Sequence, residues 1–64
     1  MNTPIRGCSV IATKENPYHK VGDVVGLVVK VDGNIVKFRD RQGDIDDLIW
    51  KFPNGLNLFY TFGY

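Results

Sequence analysis

The chain has 64 residues, 44% hydrophobic and 23% charged, and a formal net charge of +1. That composition is globular rather than disordered, fits one domain over residues 1–64, and yields a core contributing only about 3–5 kcal/mol. No deep cleft with its own supporting shell fits so small a core, which argues against an enzyme, and a charge near zero excludes a strongly basic nucleic-acid coat protein.

Small domains rely on disulfides, metals or partners for extra stability. Cys8 is alone, so no intrachain disulfide forms. Cys8 and His19 are the only soft ligands, too few for zinc, and neither a metal nor a cofactor is expected. Tight β packing or self-association remains. A lone thiol suits a reducing compartment. The first fourteen residues hold no apolar run of signal-peptide length, and no segment approaches ~18 consecutive apolar residues. A cytoplasmic protein, in the host cytoplasm if viral, with no membrane partner is the expectation.

Helix signals are scarce, because Gly and Pro recur too often for long helical runs. Residues 8–13 read as a first strand, with Cys8, Val10 and Ala12 on one face. Residues 14–20 read as a loop turning at Asn16-Pro17. Residues 21–31 form the strongest strand pattern, with Val21, Val25, Leu27, Val29 and Val31 on one face. Asp32-Gly33 or Gly33-Asn34 then makes a hairpin turn into residues 34–39. A loop at 32–33 pairs Val29 with Val36 and Leu27 with Phe38, whereas a loop at 33–34 pairs Val31 with Val36. A turn over residues 41–44 leads to a strand over 45–52, with Leu48, Trp50 and Phe52 on one face. Pro53-Asn54-Gly55 stops it, and the final strand spans 56–62. Five short antiparallel strands predict an all-β, small five-stranded SH3-like barrel; an OB-like barrel is the alternative.

The stretch Tyr18-His19-Lys20-Val21-Gly22-Asp23-Val24-Val25 resembles the entry to the second strand of an SH3-like barrel. Asp32-Gly33, Val36, Phe38, Asp40 and Gly43, followed by Trp50 and Phe52, resemble a pattern of small SH3-like proteins frequent in bacteriophage genomes. The resemblance covers roughly residues 18–52 and implies a small accessory protein, an inhibitor or modulator that binds a host protein. The acidic, aromatic-rich first loop of peptide-binding SH3 domains is missing, as is their paired Trp, so Pro-rich ligands are not expected.

Four features bear on function. Five of the eight aromatics lie in residues 52–64, a stretch without a charged side chain. Surplus apolar surface there marks an interface, so Phe59, Tyr60, Phe62 and Tyr64 are candidate contacts with a protein partner or a second copy through the C-terminal strand. The alternative is a strand that closes the barrel. Asp44, Asp46 and Asp47, with Asp40, make an acidic patch. Their order does not fit a calcium loop, since the twelfth position from Asp44 is Gly55, and a solvated turn or a contact for a basic partner is the better reading. Tyr18 and His19 in the long loop are further interface candidates, and a Cys8–His19 nucleophilic dyad is rejected in favour of a buried thiol and a loop imidazole. Lys30, Lys37, Arg39 and Arg41 line a hairpin face that fits nucleic-acid phosphates in an alternative reading, although aromatic stacking platforms are missing from it. The expected function is a non-catalytic binding module that modulates a protein partner. The alternatives are a nucleic-acid-binding module and an oligomer that sequesters a small ligand.

Overall fold

Alternating β-branched residues separated by glycine turns dictate strands, and the structure, a computed structural model that describes residues 3–63, is all-β. The strands are β1 (Ser9–Ala12), β2 (Val24–Asp32), β3 (Ile35–Asp40), β4 (Ile45–Ile49), β5 (Lys51–Phe52), β6 (Gly55–Leu56) and β7 (Tyr60–Gly63). Five form one antiparallel sheet in the order β4-β3-β2-β1-β7, and β5 pairs only with β6. Four strands meander and the last returns beside the first, an arrangement consistent with a small barrel-like all-β fold. A tight turn over residues 41–44, without a helix, joins β3 to β4, unlike the OB-like alternative. Among the described residues no helix is long and apolar enough to cross a membrane.

The hairpin takes the second of the two expected registers. Asp32 pairs with Ile35 and Val31 with Val36, so Gly33-Asn34 is the loop. Gly33 has φ 60°, and among the described residues no non-glycine residue has positive φ, so the left-handed conformation falls there on glycine alone. That is the requirement of a two-residue turn with glycine first.

Two irregularities in β2 correct the expected strand face. Val10 pairs with Gly26 and Ile11 with Val24, which leaves Val25 as a bulge against β1. Val28 pairs with Phe38 and Lys30 with Lys37, which leaves Val29 as a bulge against β3. A bulge shifts side-chain parity and bends its strand. Val25 and Val28 therefore both enter the core at 7% and 2% exposure, while Leu27, expected among them, is 52% exposed. The bends also let one long strand serve β1 on one side and β3 on the other.

The core consists of Cys8, Val10, Ala12, Val25, Val28, Val36, Phe38 and Phe62, with Leu48, Trp50 and Tyr60 packed against it. Cys8, Val10 and Ala12 share the inward face as expected, and the buried thiol accepts a bond from the Ile5 N–H at 3.4 Å. Phe38 lies over Gly26, where a Cβ would run into the Arg39 carbonyl oxygen and come within 2.8 Å of the Phe38 ring. The close approach of β2 and β3 at this point therefore depends on a missing side chain.

The expected strands over 45–52 and 56–62 are both interrupted. Trp50 separates β4 from β5: its N–H donates to the Asn34 carbonyl at 3.0 Å and its indole N–H to the Gly33 carbonyl at 2.9 Å. Residues 57–59 leave the strand geometry between β6 and β7. Phe62, expected at an interface, is a core residue at 7% exposure, because β7 pairs with β1 and sets Phe62 opposite Val10. The last strand joins the sheet as its edge strand beside β1.

Candidate protein-binding surface

The bend at 57–59 is built by Asn57. Its backbone N–H donates to the Trp50 carbonyl at 2.9 Å, its side-chain N–H to the Ile49 carbonyl at 2.9 Å, and its side-chain oxygen accepts from the Phe59 N–H at 2.8 Å. A carbonyl on one side and an N–H on the other fix the orientation of the amide. Thr13 holds the bend from the opposite side. Its hydroxyl donates to the Leu58 carbonyl, and its N–H donates to the Phe59 carbonyl at 2.8 Å. With the backbone so engaged, the Leu58 and Phe59 side chains turn outward at 69% and 54% exposure. The Lys14 ammonium lies 5.2 Å from the Phe59 ring centroid, a cation–π arrangement.

Beside this bend lies a cleft of about 300 Å³ lined by Trp50, Leu56, Leu58, Tyr60 and Phe62, with Thr13, Asn57 and Thr61 completing it. No carboxylate, amine or imidazole lines it. The Asn57 amide and the Thr13 hydroxyl are already bonded within the chain. What the cleft offers a visitor is mainly aromatic and aliphatic surface, suited to an apolar side chain.

The remaining candidates fall elsewhere. Tyr64 lies outside the described residues. Asn16 accepts the N–H groups of Tyr18 and His19 at 2.8 and 2.9 Å, so the loop turns at Asn16-Pro17 as expected. Tyr18 is fully outward and His19 half-buried. Cys8 is in the core. Asp44, Asp46 and Asp47 lie at the β3–β4 turn and on β4, which is at the opposite end of the sheet order from β7. Aromatic and acidic candidates thus sit on different strands. Asp40 caps its turn by accepting the Gln42 and Asp44 N–H groups, each at 2.9 Å. Asp47 pairs with Lys37 at 3.3 Å. Among the described residues no group of three His, Cys, Asp or Glu could hold a metal ion.

The cationic face is rearranged. The Val29 bulge sets Lys30 opposite Lys37, and Val28 is in the core. Arg39 lies between Leu27 on β2 and Ile45 on β4. Lys37 is neutralised by Asp47, so the face carries both signs and exposed aliphatic side chains.

Sequence reading missed Asn57, Leu58 and the clasp made by Trp50. Asn57 falls in phase with the alternation of residues 56–62, so only its residue type, common in turns, could have marked the bend. No family model matches the chain, and no curated protein or solved structure is significantly similar to it.

Proposed function

We propose that this protein is a non-catalytic binding module that takes an apolar side chain of a protein partner in the cleft between Trp50 and Tyr60. The observation that carries this reading is the pairing of that cleft with Leu58 and Phe59, two large apolar side chains held outward by a backbone bonded at the Leu58 carbonyl and at the Phe59 N–H and carbonyl. A preformed apolar projection beside an apolar recess loses little entropy when a partner docks. Aromatic side chains in recesses are also the usual anchors of protein interfaces. Residues 52–64 carry no charge, so docking there desolvates no ion of this segment, and the Lys14 ammonium over the Phe59 ring stands at its edge. Such a module acts on its partner by covering a surface, the accessory role implied by the resemblance to small SH3-like phage proteins.

The test is affinity capture with the wild-type protein and a Leu58→Asp, Phe59→Asp variant. Both side chains are exposed, so the variant folds, as circular dichroism verifies. A partner bound by the wild type and lost by the variant supports the reading. Equal recovery by both proteins refutes it.

A further inference from the structure

A second recess, on another part of the molecule, has a different chemistry. A groove of about 210 Å³ is lined by Val24, Gly26, Leu27, Arg39, Asp40 and Arg41. Val24 and Leu27 are both exposed there, and Leu27 is the side chain that the β2 bulges turn outward. Arg39 is directly across from Leu27 on β3, and Arg41 follows in the turn. Among the described residues neither guanidinium has a carboxylate within ion-pair reach, and the one ion pair is Lys37–Asp47. Asp40 also lines the groove, but its carboxylate is held by the Gln42 and Asp44 N–H groups of the turn. Gly26 contributes only backbone to the groove.

Two unpaired guanidiniums beside aliphatic surface call for a ligand that is anionic and apolar together. Guanidinium forks match carboxylates in a bidentate manner. No aromatic ring lines the groove, so single-stranded nucleic acid finds no stacking platform in it. We propose that this groove is a second docking site, for an extended acidic peptide segment that lays an aliphatic side chain on Val24 and Leu27 and sets its carboxylates on Arg39 and Arg41.

The test is an amide-resolved NMR titration with a synthetic peptide in which Glu and Leu alternate. Shifts are expected at Val24, Leu27, Arg39 and Arg41. Affinity should fall about tenfold in an Arg39→Gln, Arg41→Gln variant, the size of a lost charged hydrogen bond. An Arg39→Lys, Arg41→Lys variant keeps the charge but not the fork and should weaken binding by less. Both arginines are exposed, and unchanged amide positions elsewhere show that the variants remain folded. A peptide alternating Glu with Ser should bind several-fold more weakly. The proposal is overturned if the Ser peptide binds equally, if an oligothymidylate of the same charge binds more tightly, if shifts centre on Trp50 and Tyr60, or if none appear.

Discussion

The indole N–H of Trp50 donates to the carbonyl oxygen of Gly33 at 2.9 Å, across seventeen residues of chain. This bond, with the Trp50 N–H on the Asn34 carbonyl, fastens the end of β4 to the hairpin turn. The same ring lines the cleft, so one side chain joins the stability of the hairpin to the shape of the recess. A Trp50→Phe substitution keeps an aromatic ring but loses the donor, and should cost about 1 kcal/mol in denaturant unfolding. Gly33→Ala should cost about 1–2 kcal/mol at the same turn, since its φ of 60° is in the left-handed region.

Gly26→Ala should destabilise the domain by roughly 1–3 kcal/mol or more, the range of overpacked cores. The added methyl meets the Arg39 carbonyl and the Phe38 ring together. Adding Phe38→Leu relieves the ring and leaves the backbone contact. The double variant should therefore recover less than it would if the ring were the whole obstacle, as unfolding midpoints will show. Full recovery would place the constraint in the side chain alone.

Much of this fold was legible in the sequence because its strands alternate and its turns contain glycine. Cys8, Val10 and Ala12 face inward as their spacing requires, and Asn16-Pro17 turns the long loop. The β2 face was misread because bulges at Val25 and Val29 shift parity without leaving a mark in a run of valines. Phe62 stayed open to two readings because an aromatic residue in a terminal strand has the same spacing whether it packs in a core or faces a partner, and here it is in the core. The cleft was illegible for a related reason: it joins Trp50 to Tyr60 through Asn57, and pattern reading does not see bonds between side chains and distant carbonyls.

Asn57→Ala removes the amide that bridges Ile49 and Phe59. The expected loss is about 1–2 kcal/mol for two bonds. Because the bend positions Leu58, amide hydrogen exchange should quicken at 57–59 while the β2–β3 ladder keeps its protection. A uniform increase across the sheet would show that the bend is not a separate unit.

Asp47→Asn should change stability by less than about 1 kcal/mol, because both partners of the Lys37–Asp47 pair are well exposed. The difference between wild type and variant should shrink further as salt is raised. A larger, salt-insensitive loss would mean that the pair is more enclosed than its exposure of 42% and 60% indicates.

The central claim is that a protein partner docks on the C-terminal bend and its cleft. The direct measurement is crosslinking from a photoreactive benzoylphenylalanine placed at Leu58, compared with the same probe at Ile45. Both positions are exposed, but Ile45 opens β4 opposite Arg39 and lines no part of the cleft. The account predicts a crosslinked partner from position 58 and little from position 45. A partner captured from position 45 and not from 58 would contradict it.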